Sequence, residues 1–225
     1  VEQAKEMVQV CKENNVILTL NYVFRHHPIV KKTKEFIDNK YLGKIVSISA
    51  KFNFDYKPND NYRFNLAESG GGAMRDLGTH MIDLLRFLGG EFTILNGVVD
   101  NVIYDSKVDD FAAGFVKFKN SGYGDFNVSF NVSKPVNRVE ILGHKGTIII
   151  DNMIGQRKAA TKMTINLKDE GKKAFRRRAN RQLYLLRDVQ KAFLKNEPPL
   201  ITGEDGLINM ELMTELEKKW VQKKS

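Results

Sequence analysis

Several short segments between residues 92 and 152 alternate apolar and polar side chains, and tight-turn signals separate them. The segments are FTILNGVVDNVIY, DDFAAGFVKFKN, YGDFNVSFNVS, VNRVEILGH and GTIIIDN. Two of the turns are Asn120-Ser121-Gly122 and His144-Lys145-Gly146. Period-two alternation is typical of strands with one buried face, and short turns join antiparallel neighbours. The sequence therefore predicts a large, mostly antiparallel β-sheet.

Helical patterns surround these strands, so the predicted fold class is α+β with helices on one face of the sheet. The helical segments are residues 1–14, 29–40, 73–88, 181–195 and 206–219. A further alternating segment, KIVSISAKFNFDYK (44–57), is expected to be a half-buried strand. Its apolar face carries Ile48, Ala50, Phe52 and Phe54.

The first 22 residues follow a different pattern. A helix over 1–14 precedes VILTLNY (16–22), a nearly continuous apolar stretch typical of a strand buried on both faces of a parallel sheet. A helix followed by such a strand is half of a βαβ unit. We therefore expect residues 1–22 to be the last helix-strand unit of a Rossmann domain, and residues 23–225 to form a second domain.

The composition and the first residues of the chain indicate the compartment of the protein. The single cysteine, Cys11, excludes a disulfide within the chain, and no apolar run reaches the length of a membrane span. The first residues lack the pattern of a signal peptide. We expect a cytoplasmic protein without a membrane partner. The net charge of +9 favours an anionic partner without identifying one.

The segment SGGGAMRDLGTHMIDLLRFLGG (69–90) carries the clearest chemical signal. Asp76 and His80 are four residues apart, so on a helix they share a face. A carboxylate beside an imidazole raises the imidazole pKa, which suits a general acid/base. Two other interpretations stay open: a buried structural histidine, and a metal site with Asp83. We expect no metal, because the pattern is not H-E-x-x-H and no cysteine can contribute.

This segment closely resembles the G-G-G-x-x-x-D-x-G-x-H-x-x-D signature of the glucose-fructose oxidoreductase, inositol dehydrogenase and rhizopine catabolism (Gfo/Idh/MocA) family of NAD(P)-dependent oxidoreductases. Two other stretches resemble the family in the same order. They are NYVFRHHPIVKKTKEFIDNKYLGKI and EPPLITGEDGLINMELM. The resemblance covers nearly the whole chain.

The resemblance implies roles for the residues of the motif. His80 would accept the proton of a substrate hydroxyl, or return it to a carbonyl, and Asp76 would position the substrate and hold His80. Gly72 and Gly78 would let substrate and nicotinamide approach the helix. The substrate would be a sugar, a polyol or a nucleotide sugar, and the sheet face would join copies into a homo-oligomer.

The resemblance also implies a cofactor, NAD or NADP, that this chain holds only in part. The sequence contains neither the G-x-G-x-x-G phosphate-binding turn nor the family's E-K-P motif. We therefore expect the dinucleotide to be bound mainly by an N-terminal domain that this chain lacks, and the chain alone to be inactive.

Five further side chains are candidates for substrate binding: Arg25, Lys51, Asn53, Tyr62 and Arg63. Arg25 has the alternative role of a structural ion pair. For Lys51 and Asn53 the alternative is that they lie on the solvent face of an edge strand.

The basic run GKKAFRRRANR (171–181) has no acidic residue. It is expected to be a solvated loop, with a phosphate clamp as the alternative. Nucleic acid is not expected, because aromatic residues are not interleaved with the charges. One competing function also stays open: a noncatalytic assembly domain that uses the sheet and this basic run.

Overall fold

The computed structural model describes residues 1–153 and 160–224, with side chains through residue 218. Its centre is one eight-stranded sheet in the order β2-β3-β4-β1-β5-β6-β7-β8. The strands are β1 (Ile45–Asp55), β2 (Phe92–Asp100), β3 (Phe111–Phe118), β4 (Tyr123–Ser129), β5 (Asn131–Gly143), β6 (Gly146–Asp151), β7 (Thr161–Leu167) and β8 (Gly171–Arg177). Only β1 and β4 pair in parallel among these strands, so the expectation of a mostly antiparallel sheet is confirmed.

Six α-helices accompany the sheet in the described residues. They are α1 (Glu2–Glu13), α2 (Pro28–Asp38), α3 (Leu66–Ser69), α4 (Thr79–Gly89), α5 (Arg181–Lys195) and α6 (Gly203–Lys224). Short 3-10 turns occupy Val23–His26 and Tyr62–Phe64. The bounds of α2 and α5 agree closely with the sequence pattern, because each helix has one apolar stripe at helical spacing.

Helices α2, α4 and α6 contact one face of the sheet, where alternate strand residues are fully buried. Helix α6 approaches β2 and β3 closely. A Cβ on Gly97 or Gly114 would lie 2.8 or 2.9 Å from a methyl carbon of Leu216. The opposite face carries half-exposed aromatic side chains, of which Phe115 and Tyr123 stack with centroids 5.7 Å apart.

Residues 16–22 do not form the predicted strand. Within the described chain this segment has no strand partner, and a strand requires a hydrogen-bonded neighbour. It runs instead along the start of α6, where the Thr19 hydroxyl donates to the carbonyl of Ile201 at 2.7 Å. Its apolar pattern reflects packing, because Cβ atoms on Gly203 and Gly206 would meet Leu18 and Leu20.

The basic run was wrongly expected to be a loop. Residues Gly171–Arg177 form β8, which pairs with β7 and ends the sheet. Most of its side chains are exposed, and Phe175 is the one that packs inward, against Phe36. Lysine and arginine on an edge strand discourage pairing with other chains, so the run has a structural reason to be basic.

None of the described helices combines the length and apolar character needed to cross a membrane.

Candidate active site

The glycine-rich segment is held by Asp109, which lies just before β3. The backbone N–H groups of Gly72 and Met74 donate to its two carboxylate oxygens at 2.6 and 2.7 Å. The N–H of Ala73 donates to the Asp109 carbonyl at 2.9 Å. A Cβ on Gly72 would lie 1.9 Å from that carbonyl oxygen. The contact with Asp109 is therefore sufficient to require a glycine at position 72.

The sequence predicted one uniform α-helix over 73–88, and this prediction is wrong at its start. A π-helical turn spans Met74–Gly78, and the N–H of Thr79 returns to the carbonyl of Met74. Gly78 lies in this turn, where a Cβ would come 2.7 Å from the Met74 sulfur. Residues four apart share a face only in a regular α-helix. The wider π turn therefore removes the expected alignment of Asp76 with His80.

Asp76 is paired with Arg63 instead of with His80. The Arg63 Nε donates to an Asp76 carboxylate oxygen at 3.1 Å, and both side chains are about one-third exposed. The Arg63 guanidinium also lies 4.8 Å from the centroid of the Tyr62 ring. In the described residues, Asp76 makes no hydrogen bond to His80. The structure thus groups Asp76, Arg63 and Tyr62 on one accessible surface.

His80 lies in an aromatic enclosure. The edge of its ring meets Phe24, with centroids 5.1 Å apart, and Tyr22, with centroids 6.0 Å apart. Its Nδ1 is buried and has no hydrogen-bond partner among the described residues. Burial, together with the positive charge of Arg181, lowers the pKa of His80 to about 4. The expectation that Asp76 raises this pKa is therefore wrong, and the imidazole is neutral at pH 7.

Arg181 is a charged neighbour that the sequence did not single out. It is the first residue of α5, and its guanidinium lies 4.9 Å from the centroid of the Phe24 ring. One guanidinium N–H donates to the carbonyl of Met153 at 2.5 Å. In the sequence Arg181 is the last residue of the basic run, and only its position after a helix N-cap, Asn180, distinguishes it.

Arg25 has the structural role that the sequence offered as its alternative. Its guanidinium donates twice to Asp83, at 2.6 and 3.0 Å, and twice to Asp205, at 3.0 and 3.1 Å. Burial raises the pKa of Asp83 to about 6, an effect that Arg25 opposes, so Asp83 is ionised at pH 7. These ion pairs join the Val23–His26 turn to α4 and α6.

Arg86 and Asn209 complete this buried network. The Arg86 Nη1 donates to the Asn209 amide oxygen at 2.9 Å, and the Asn209 amide donates to Asp83 at 3.3 Å. Thr202 and Asp205 cap α6 reciprocally through their backbone N–H groups. Asp83 is thus occupied by arginine and amide partners, and no cluster of potential metal ligands occurs in the described residues.

Lys51 and Asn53 lie away from His80. They alternate along β1 with Phe52, whose ring contacts Phe24 on the helix-covered side of the sheet. Lys51 lines a shallow cleft on the opposite face with Arg138 and Glu140. Asn53 is buried and donates to the Asn127 amide oxygen at 2.7 Å.

A cleft of about 630 Å³ reaches the neighbours of His80. Tyr22 and Thr79 line its inner end, where their hydroxyls are hydrogen-bonded at 3.2 Å. Ser69 and Gly70 line another side, and apolar side chains of α1 and α6 form much of the remainder. The geometry therefore offers a neutral imidazole, a cation without a carboxylate partner among the described residues, and an accessible carboxylate around one end of α4.

Comparison with protein families identifies one match over this region. The model of the GFO/IDH/MocA C-terminal domain matches residues 30–149, which is more than half of the chain. This range contains β1, the glycine-rich segment, α4 and the strands through β5, and it ends within β6.

Several curated proteins are similar in sequence. Levoglucosan dehydrogenase of Pseudarthrobacter phenanthrenivorans is 26% identical over 179 residues, covering 67% of this chain and 46% of that protein. Myo-inositol 2-dehydrogenase of Thermotoga maritima is 28% identical, covering 97% of this chain and 66% of its own length. The dTDP-3,4-didehydro-2,6-dideoxy-alpha-D-glucose 3-reductase of Actinomadura kijaniata is 32% identical over 98 residues, covering 43% of this chain and 29% of that protein. The chain thus spans between about a third and two thirds of the length of these relatives.

Solved structures share the fold at lower sequence identity. A levoglucosan dehydrogenase in complex with NADH and levoglucosan superposes with a TM-score of 0.87 at 20% identity, covering 98% of this chain and 68% of that one. An aldose-aldose oxidoreductase from Caulobacter crescentus complexed with glycerol gives a TM-score of 0.86 at 21% identity, covering 97% and 66%.

Proposed function

Since this chain belongs to the GFO/IDH/MocA family, we propose that it supplies the substrate-binding part of an NAD(P)-dependent oxidoreductase acting on CH–OH groups. The substrate class is a sugar, a polyol or a nucleotide sugar. The names of the relatives support this class, because they include a levoglucosan dehydrogenase, a myo-inositol dehydrogenase and a nucleotide-sugar reductase. Residues 23–225 form the substrate domain in this proposal, and residues 1–22 belong to the nucleotide-binding part.

The cofactor, when bound, accepts or supplies the hydride at the substrate carbon. The residues of this chain do not fit a whole dinucleotide, because the sequence has no glycine-rich phosphate-binding turn. We therefore propose that a preceding domain holds most of NAD or NADP. The cleft beside Thr79 and Gly70 is the surface of this chain that would face it.

His80 is the proposed general acid/base. Oxidation of an alcohol requires a group that takes the hydroxyl proton while the hydride leaves the same carbon. Because its pKa is lowered, His80 is neutral and available to accept a proton at pH 7, but it is a weaker base than a free imidazole. The observation that carries the proposal is this neutral imidazole, packed against Tyr22 and Phe24 and next to the residues that line an accessible cleft.

Asp76, Arg63 and Tyr62 are proposed to bind substrate hydroxyls. The carboxylate of Asp76 and the guanidinium of Arg63 keep exposed polar atoms although they pair with each other. An acceptor and a donor side by side suit the hydroxyls of a sugar. In this proposal Asp76 positions the substrate and does not hold His80.

The test replaces His80 in the full-length protein that carries this chain. His80→Gln is expected to lower kcat by at least about 100-fold, the usual contribution of a general acid/base. His26→Gln is the matched control, because His26 is also buried, has a lowered pKa and has an unpartnered Nδ1. Circular dichroism checks that both variants fold. Unchanged turnover in His80→Gln would remove the assignment.

We also propose that the open face of the sheet joins two or more copies. Phe115 and Tyr123 are exposed there, and Phe115 lines a broad depression of about 650 Å³ together with Gly97. Replacement of Phe115 by lysine is expected to reduce the mass measured by sedimentation equilibrium to that of a monomer. Lys145→Glu, an exposed change outside this depression, should leave the mass unaltered.

A further inference from the structure

Arg181 differs from the rest of the basic run in its surroundings. The cations of β8, among them Lys172 and Arg176, project from an exposed edge strand and have room to be hydrated. Arg178 is also exposed. Arg181 is turned toward the interior, where it covers the ring of Phe24 and reaches the carbonyl of Met153. Arg181 therefore does not share the role of the β8 cations, which discourage pairing of the edge strand with other chains.

No carboxylate compensates the charge of Arg181. None of the ion pairs among the described side chains includes it, and residues 154–159 contain no acid in the sequence. Burial lowers the pKa of its guanidinium without any opposing acidic neighbour. The first turn of α5 has no acidic residue, and the N–H groups at a helix N-terminus are themselves electropositive. A partly buried cation in such a position carries an unfavourable desolvation cost.

The donors of Arg181 are also incompletely used. A guanidinium presents five N–H groups, whereas Arg181 makes one hydrogen bond to a described residue. The remaining N–H groups form a planar fork that matches the paired oxygens of a carboxylate or phosphate. By contrast, Arg25 uses four donors on two carboxylates in the same part of the fold.

Arg181 and His80 contact the same phenyl ring. The guanidinium carbon lies 4.9 Å from the centroid of Phe24, and the imidazole centroid lies 5.1 Å from it. The guanidinium carbon and the imidazole centroid are therefore no more than about 10 Å apart, a separation that one sugar with its reacting hydroxyl at His80 and an anionic substituent at Arg181 can span. An anion there would offset the charge that no protein group offsets.

We infer that Arg181 is the receptor for an anionic substituent of the substrate, a carboxylate or phosphate group carried by the sugar. The inference rests on the proposed function, because it places the anion on the molecule that reacts at His80. It restricts the substrate class to acidic or phosphorylated sugars, nucleotide sugars included.

The first test measures the dissociation constants of three probes by calorimetry with the full-length protein. D-Glucose is neutral, D-glucuronate carries a carboxylate, and D-glucose 6-phosphate carries a phosphate. The unaltered protein is expected to bind one of the two anions at least about tenfold more tightly than glucose, as one charge-assisted fork implies. The anion that wins identifies the group.

Variants then assign this preference to one side chain. Arg181→Gln is expected to bind the preferred anion and glucose within about threefold of each other. Arg178→Gln removes a neighbouring exposed cation and should keep the preference of the unaltered protein. Equal or undetectable binding of all three probes by the unaltered protein, or a preference retained in Arg181→Gln, overturns the inference.

A second readout does not depend on catalysis. Because Arg181 lowers the pKa of His80, an anion bound to Arg181 is expected to raise that pKa, as followed by NMR titration of the His80 ring protons. The shift should disappear in Arg181→Gln, and its persistence there would contradict the inference. If His80→Gln retains normal turnover, the proposed general base fails while these binding measurements still decide the role of Arg181.

Discussion

Arg25 and Arg181 are two inward-turned arginines near the same end of the fold, and their surroundings differ sharply. Arg25 is 6% exposed and makes four hydrogen bonds to Asp83 and Asp205. Arg181 has one carbonyl partner and no carboxylate among the described residues. Charge compensation by carboxylates therefore distinguishes an arginine that holds this fold together from one that keeps donors for a ligand.

The histidines show the same contrast. His27 and His80 both have a pKa lowered to about 4 by burial and by Arg181. The Nδ1 of His27 accepts the N–H of Ile29 at 3.1 Å and caps α2, whereas the Nδ1 of His80 has no described partner. A perturbed pKa alone therefore does not identify the functional histidine. His26 also has an Nδ1 without a described partner, and His80 differs from it in lying beside Tyr22 and Thr79, which line the cleft.

The largest expected effect is a difference in the free energy of unfolding between variants of Arg25 and of Arg181. Arg25→Met leaves the buried Asp83 without its cation and removes one of the two arginine partners of Asp205, so we expect a loss of about 3–5 kcal/mol in the free energy of unfolding. Arg181→Met removes a cation that no described carboxylate compensates, together with one hydrogen bond to the Met153 carbonyl and the contact with the Phe24 ring, so the loss should stay within about 1 kcal/mol. Urea unfolding followed by circular dichroism measures both. Equal losses of stability in the two variants would contradict the different roles assigned to Arg25 and Arg181.

The next effect concerns acid sensitivity. His80 has a folded-state pKa of about 4 against 6.5 for a free imidazole, so the unfolded chain binds its proton first as the pH falls. The stability associated with a neutral His80 is complete above pH 6.5 and decreases as the pH falls toward 4. Its share is up to about 1.4 kcal/mol per pH unit.

His80→Gln is therefore expected to flatten the decline in stability between pH 6.5 and 5, while His27 and His26 continue to contribute to it. Urea midpoints at several pH values give the slope. An identical slope in the variant would mean that His80 titrates normally in the folded protein.

A smaller effect is expected at Asp109. Asp109→Asn leaves only one acceptor oxygen for the N–H groups of Gly72 and Met74, so we expect a loss of about 1–2 kcal/mol. Asp105→Asn, an exposed change in the same loop, is the control and should be neutral within about 0.5 kcal/mol. A neutral Asp109→Asn would show that the glycine-rich segment holds its shape without this cap.

The sequence predicted the sheet and most helices because their apolar periodicity is local information. It failed where the outcome depends on distant partners. Residues 16–22 have the composition of a strand but no strand beside them in the described chain. The basic run became an edge strand because β7 offers a free edge for pairing, and its charges conceal the strand pattern.

The candidate site was predicted in part. His80 was found through the D-x-G-x-H motif, but its pairing with Asp76 assumed regular α-helical geometry across Met74–Gly78. The π turn, the Arg63 partner and the approach of Arg181 all depend on tertiary packing. Gly72 was noticed for the right property, a close approach, but the neighbour is the backbone of Asp109.

A direct measurement of the pKa of His80 in the full-length protein decides whether its imidazole is neutral at pH 7. NMR titration of its ring protons, assigned by their absence in His80→Gln, measures this value without a substrate. We expect a pKa near 4, and in any case below about 5, which leaves the imidazole neutral and able to accept a proton at pH 7. A pKa at or above 6.5, the ordinary value, would contradict this expectation.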